Sequence, residues 1–359
     1  MLVRRGRRGR ADQDWRRKSA VAELVLAVCA GAAACGGDKA SGGSEPEVEA
    51  AAADRPIESV RTGGAVMLSG EWPLTGATFE GGGPQHPVYV VKMDNTASST
   101  PQIGLSSADM VVEQLVEGGL TRLAVFYYSD VPDQVGPVRS LRASDIGIVK
   151  PTAAVLVASG GAGRTIARIA DAEVATSVEG AAGFYRADDR SAPYDLFMSL
   201  GDLADNPQDG WQAPAESYLA FGDQSDFEGT IAVDKITATF SAAHSTEWKQ
   251  TDDGWTRPES FAEEGDDFMA DNVLLLKVKV GDAGYQDPAG NPVPETKFYG
   301  RGEAVLVHGG KALQATWSKE SAGSALTLQN TDGDEVTVPA GRTWIELVPA
   351  EDGAVVLSS

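Results

Sequence analysis

Both cysteines of this 359-residue chain, Cys29 and Cys35, lie in its first 35 residues, and none follows. Everything beyond must therefore fold without a disulfide, a zinc–thiolate site or a thiol nucleophile. A core has to supply the stability instead, and a folded part of several hundred residues is large enough to build one. The surroundings of the two cysteines say where that folding takes place. Residues 1–18 carry Arg4, Arg5, Arg7, Arg8, Arg10, Arg16, Arg17 and Lys18, and an alanine-rich apolar run follows from Ala20 to Ala34. This is the charged n-region and short h-region of an export signal, shorter than the roughly 20 apolar residues that a spanning helix needs. It ends in Ala32-Ala33-Ala34-Cys35-Gly36. Small residues before a cysteine match a lipobox, in which the cysteine is lipidated and becomes the new N-terminus. Ala32 stands where leucine is preferred and Glu23 interrupts the h-region, which leaves cleavage after Ala34 or an uncleaved anchor as alternatives. The reading is a signal peptide over residues 1–34, lipidation at Cys35, and an extracytoplasmic chain anchored to the outer face of the cytoplasmic membrane.

The charge distribution agrees with that placement. The first 34 residues hold eight of the 30 basic residues and three of the 52 acidic ones. The remainder thus has 22 basic and 49 acidic residues, a formal charge of −27 against −22 for the whole chain. Such a chain is repelled by phosphate backbones and by anionic lipid headgroups, so nucleic acid is excluded as a partner and the membrane is reached through the lipid anchor. Residues 36–65 are rich in Gly, Ala, Ser, Glu and Asp with no apolar periodicity, as in a flexible acidic tether. The tether is expected to span residues 35–80.

The ordered part reads as α+β: an N-terminal α/β domain over residues 81–215 and a C-terminal β-rich domain over 227–359. Pro87–Met93 is a buried strand entered from Gly- and Pro-rich punctuation. Ala108–Glu117, the Gly118-Gly119 turn and Thr121–Tyr128 predict a hairpin. Ala153–Ser159 is a continuous apolar strand that runs through Gly160-Gly161-Ala162-Gly163 into a helical stretch, Thr165–Ala172, an α/β signature. Helical character returns near Asp195–Ala204. From Phe227 onward, short alternating segments such as Ile231–Phe240, Val273–Val280, Glu303–His308, Ala312–Trp317 and Thr343–Val348 predict an all-β sandwich or barrel.

Unusual residues are densest between Asp94 and Arg142. Asp94 and Asn95 end the first strand. Asp109, Glu113 and Glu117 fall at odd positions, so on one strand they would share a face. Arg122, Arg139 and Arg142 are the candidate anion-binding residues, because a guanidinium fork matches carboxylate or phosphate. Equally, the same arginines can pair with those carboxylates and hold the fold together. The loop Gly160, Gly161, Gly163 with Arg164 is a candidate phosphate cradle at a helix start. It is not a nucleotide loop, since Ala158 stands where the first glycine is required and arginine replaces lysine. Hydrolase chemistry has thin support: His86, His244 and His308 are scattered, and no H-E-x-x-H or G-x-S-x-G occurs. Acidic turns at Asp252-Asp253 and Asp332, Asp334, Glu335 do not match EF-hand spacing. No metal and no cofactor are expected. Trp248, Trp255, Trp317 and Trp344 divide between core packing and exposed positions able to stack on sugar rings.

Several of these segments are similar to those of the YerB-like lipoproteins, a bacterial family of two domains of unknown function. They are V-K-M-D-N at 91–95, P-Q-I-G-L-S-S-A-D-M-V-V-E at 101–113, V-E-G-G-L-T-R at 116–122, V-G-P-V-R-S-L-R at 135–142, F-Y-R at 184–186, A-T-W-S-K at 315–319 and G-R-T-W-I-E-L-V-P at 341–349. The resemblance implies a lipid-anchored chain with an α/β domain before a β-rich one, and it implies no known reaction. Where that family tends to read A-P-H-N, this chain has Ala192-Pro193-Tyr194-Asp195, so any histidine role there is lost. A fainter likeness in the order of an acidic segment and Arg139-Ser140-Leu141-Arg142 is to the LytR-type wall-polymer ligases, and it is an analogy only. The functional expectation is a non-catalytic envelope protein that binds or scaffolds a cell-wall polymer or a wall-synthesis protein. The alternative is an enzyme or sensor that acts on a phosphorylated envelope glycan or lipid through Arg122, Arg139 and Arg142.

Overall fold

The apolar run Tyr89-Val-Val-Lys-Met-Asp-Asn95 is buried along its whole length, and a strand can be buried on both faces only inside a covered sheet. In the computed structural model, which describes residues 70–359, this strand (β1) lies in a 13-stranded mixed sheet. Its neighbours are β3 (Thr121–Tyr127), antiparallel, and β4 (Val155–Ala158), parallel. β2 (Met110–Leu115) pairs antiparallel with β3 across the predicted Gly118-Gly119 turn, and β5 (Thr176–Val178) is parallel to β4. Both turn glycines have φ of +73°, a conformation that glycine adopts without the penalty of a Cβ.

The strands of the C-terminal half continue this sheet. Thr343–Pro349 inserts between β2 and the long strand Asn272–Gln286, parallel to both. Beyond lie Gly300–His308, Lys311–Lys319, Thr327–Gln329 and Glu335–Val336. A separate four-stranded sheet, Gly254–Thr256, His244–Thr251, Lys235–Ser241 and Ala354–Ser358, packs on one face of the large sheet. Ile236, Phe240 and Trp248 there meet Val111, Val125 and Trp344. The other face is covered by α1 (Asp145–Val149) and α2 (Gly163–Asp171), with Ile148, Val149 and Ile169 packed on Val90, Val112 and Ala124. The described residues are thus predominantly β, with one large mixed sheet and short helices. The β4–loop–α2–β5 crossover is its α/β element.

Some expectations change. Part of the expected tether is folded: residues 70–80 turn back on themselves, with a Glu71–Thr78 bridge and Leu74 1% exposed. Gly70 and Gly76, with positive φ, form turns of this segment. Leu196–Met198, within the stretch expected to be helical, is a strand paired with Phe184–Arg186, and only Leu200–Ala204 is helix. Most strands expected to close as a sandwich or barrel of their own join the shared sheet through Thr343–Pro349, while Lys235–Ser241 lies in the separate four-stranded sheet. All four tryptophans named above are at most 1% exposed, so none offers a stacking surface. Residues 1–34, Cys35 and the tether up to residue 69 lie outside the described residues. Among the described residues, no helix is long and apolar enough to cross a membrane.

Candidate functional site

Side chains alternate across a strand, so the polar residues of β1–β3 divide between two faces. On the helix-covered face, Lys92 is fully buried, and its Nζ lies 2.8 Å from Asp145 Oδ1 at the start of α1. Gln114 Nε2 donates to the same oxygen at 2.6 Å, and the Arg142 backbone N–H donates to Asp145 Oδ2 at 2.7 Å. Burial pushes the Lys92 ammonium below its ordinary range, and Asp145 opposes that shift.

The predicted arginines gather beside this pair. Arg122 Nη2 lies 3.0 Å from Glu117 Oε1. Arg142 binds the same carboxylate with two donors, Nε to Oε2 at 2.8 Å and Nη2 to Oε1. Arg139 Nε lies 2.9 Å from Asp94 Oδ2, its Nη1 donates to Pro193 O at 2.8 Å, and its guanidinium lies 5.2 Å from the Tyr194 ring. Tyr194, where the family pattern has histidine, therefore meets the arginine cluster as a cation–π partner. Three guanidinium charges face two carboxylates, which leaves one positive charge in excess. Its effect is felt at Arg122, whose basicity drops to about 10 through burial and the neighbouring Arg142 charge, partly offset by Glu117. Burial raises Glu117, but the Arg142 hydrogen bond and the two arginine charges outweigh it and hold the carboxyl below its usual range.

The glycine loop closes one side of this cluster. The Leu141 N–H donates to Gly160 O at 2.8 Å. Ser140, Arg142 and Gly161 line a cleft of about 530 Å³ opposite Tyr285 and Asp287. Gly160 and Gly163 have open space where a Cβ would be. Arg164 lies against the opposite wall: its Nη1 donates to Gly284 O and its guanidinium lies 5.7 Å from the Tyr285 ring. The structure thus unites Arg142 and Gly161 at one cleft, with Arg122 behind them and Arg139 to the side.

Asp109, Glu113 and Glu117 do not share a face. Asp109 precedes β2 and accepts from the backbone N–H groups of Tyr128 and Ser129 at 2.7 and 2.9 Å. Burial nonetheless raises its pKa. Glu117 sits in the turn, where the positive φ of Gly118 swings the chain toward the arginines. Only Glu113 points from β2 toward the four-stranded sheet. It accepts from Thr121 Oγ1 at 2.6 Å, from Asn95 Nδ2 at 3.0 Å and from Thr246 Oγ1 at 3.0 Å, and His244 Nε2 lies 2.9 Å away. Burial raises the Glu113 pKa, but the hydrogen bonds from His244 and Thr121 outweigh it and lower it. Its strand neighbour Glu346, also 0% exposed, accepts from Trp248 Nε1 at 2.8 Å. Burial and the adjacent Glu113 raise Glu346 well above the usual carboxyl range. It is the protonated member of the pair. Arg257, 5% exposed, stacks 4.2 Å over the Trp344 ring and adds a positive charge beside both carboxyls.

His244, Thr246, Arg257 and Glu346 were missed by the sequence reading. Glu346 carried a signal, as the one charge in Thr343–Pro349, and Lys92 carried a similar one, as a charge between Val91 and Met93 in β1. Among the described residues, no group of three or more His, Cys, Asp or Glu is placed to hold a metal.

Comparison with known proteins places this arrangement. The N-terminal domain of a protein of unknown function (DUF3048) matches residues 74–212, and the C-terminal domain of the same family matches 236–345. A Bacillus subtilis (strain 168) protein named "Putative lipoprotein YerB" is 24% identical over 294 residues, covering 79% of this chain and 88% of its own. The crystal structure of YerB from Bacillus subtilis superposes with a TM-score of 0.66 at 21% identity, covering 80% of this chain and 99% of that one. At that identity the likeness speaks for a shared fold. With both halves matched in order, this chain belongs to the YerB-like DUF3048 family of proteins of unknown function.

Proposed function

We propose that this protein is a lipid-anchored envelope protein, held at the outer face of the cytoplasmic membrane through Cys35. It binds or scaffolds a cell-wall component or a wall-synthesis protein and catalyses no reaction. The observation that carries this reading is the commitment of its buried charges. Lys92, Arg122, Arg139 and Arg142 each lie against a carboxylate, and Asp109 accepts from the Tyr128 and Ser129 backbone N–H groups and from Ser129 Oγ. Groups held this way fix a scaffold, whereas a nucleophile or base must be free to meet substrate. The relative's designation as a lipoprotein supports the anchor. The test is recovery from detergent-solubilised membranes with the full chain as bait. A wall polymer or wall-synthesis enzyme is expected in the eluate, Cys35→Ser is expected to leave the membrane fraction, and recovery of neither partner class counts against the reading.

The second reading, an enzyme or sensor acting on a phosphorylated glycan or lipid, draws on one observation. Arg122 and Arg142 share the single carboxylate of Glu117 beside an open cleft. The excess charge would favour an anion at Arg142 and Gly161.

A further inference from the structure

A second cleft, of about 270 Å³, opens on the opposite face of the sheet, and its lining includes Asn95, His244, Ser245, Arg257, Glu259 and Phe261. Its walls come from both halves of the chain. Asn95 ends β1, His244 and Ser245 start a strand of the smaller sheet, and the other three follow Gly254–Thr256. Two of these side chains have unused hydrogen-bonding capacity. Arg257 is 95% buried by its 5% exposure, yet its Nε has no hydrogen-bond partner among the described residues. Its Nη2 reaches Ser260 Oγ at 3.2 Å and Asp267 at 3.6 Å, and Nη1 has no hydrogen bond among the described residues. His244 spends Nε2 on Glu113, Thr121 and Thr246, which leaves Nδ1 for the cleft. An unpartnered donor this deeply buried is costly unless a ligand or water meets it.

We infer that this cleft binds one uncharged, polyhydroxylated ring, a single sugar unit of a glycan. The inference deepens the reading above, and rests on it, by naming the ligand class. The lining mixes donors and acceptors: Arg257 donates, the Glu247 and Glu259 carboxylates accept, and Ser245 does either. Hydroxyl groups donate and accept, so they match such a lining. A free anion would face Glu259 with Glu113 behind it, and a free cation would face Arg257. Phe261 supplies an apolar wall for the ring's C–H face. The volume lies just below the usual range of roughly 300–1,000 Å³ for drug-sized ligands, which suits one ring and not an extended lipid.

The test is titration of the full chain with N-acetylglucosamine and with glucose. It is read by tryptophan fluorescence, because Arg257 touches the Trp344 and Trp248 rings, and by the unfolding temperature. Saturable binding in the millimolar range is expected for at least one sugar, as suits a ligand of few atoms. Arg257→Lys is expected to weaken it about tenfold, equivalent to about 1.4 kcal/mol. Because Arg257 is buried, its substitution can also unfold the protein, so Glu259→Gln at the exposed lip and Phe261→Ala serve as second variants, each expected to weaken binding several-fold. Asp332→Asn, on an exposed acidic turn outside the cleft, is expected to leave sugar binding unchanged. No saturable signal with either sugar, or signals that all three variants leave untouched, overturns the inference. If sugars fail while a wall polymer is still recovered from membranes, this site alone is refuted. If sugars fail and neither a wall polymer nor a wall-synthesis enzyme is recovered, the envelope-binding reading falls with it.

Discussion

Glu113 and Glu346 stand directly opposite each other on neighbouring parallel strands, both without solvent exposure. Two carboxyls so placed cannot both be charged, and the pair divides its roles: Glu113 is held ionised by His244, Thr121, Thr246 and Asn95, and Glu346 keeps its proton. This pair joins the N-terminal and C-terminal segments at the middle of the shared sheet.

That division predicts two separate pH limbs. Glu346 is raised above its ordinary value of 4.5 in the fold. Above pH 4.5 the unfolded chain therefore sheds a proton that the folded chain keeps, and stability falls as pH rises. Glu113 is lowered below the same 4.5, so its contribution is complete above that pH and is lost as pH falls through the lowered value. In Glu346→Gln the amide keeps the shape of the neutral carboxyl and its oxygen still accepts from Trp248 Nε1. Its unfolding midpoint, followed by circular dichroism from about pH 5 to 8, is expected to decline less than the wild type's while the acid limb is kept. Equal slopes would mean that Glu346 ionises normally.

Lys92 is the second buried charge with a single counter-charge. Lys92→Met leaves Asp145 without its ammonium in a dry site, and a loss of about 3–5 kcal/mol in urea unfolding is expected. Lys92→Met combined with Asp145→Asn is expected to recover part of that loss, because the uncompensated charge is then gone. A single-mutant loss below about 1 kcal/mol, the worth of a surface pair, would show that water reaches the site.

Glu117 holds two arginines at once. Glu117→Gln leaves Arg122 and Arg142 facing each other, and a loss of about 3 kcal/mol is expected from the unpaired buried charge. The variant is then expected to gain more unfolding temperature from added pyrophosphate than the wild type does, because an anion replaces the lost carboxylate. Equal gains would place the phosphate elsewhere.

How much of this could be read in advance depends on how local each cause is. The β2–β3 hairpin was readable because Gly118-Gly119 supplies the turn between two apolar runs. The meeting of Arg122 and Arg142 with Glu117 was weighed as a structural alternative, and the three residues lie within 26 positions of one another in sequence. Glu113 and His244 are 131 residues apart and belong to different sheets, so no local pattern announced them. Thr343–Pro349 reads as an ordinary strand, and only its parallel insertion beside β2 brings Glu346 against Glu113. Asp109 and Glu117 left the face predicted for them because β2 is only six residues long and the period of two ends with it.

The central claim, binding without turnover, is tested most directly by one measurement. The full chain in detergent is incubated with purified wall sacculi and a labelled wall precursor linked to polyprenyl pyrophosphate, and bound, free and converted label are separated. The account predicts retention of the protein on sacculi or of the precursor on the protein, with the label chemically unchanged. Repeated conversion of the precursor, abolished in a folded Arg139→Ala/Arg142→Ala variant, would contradict it and make the arginine cluster a catalytic site.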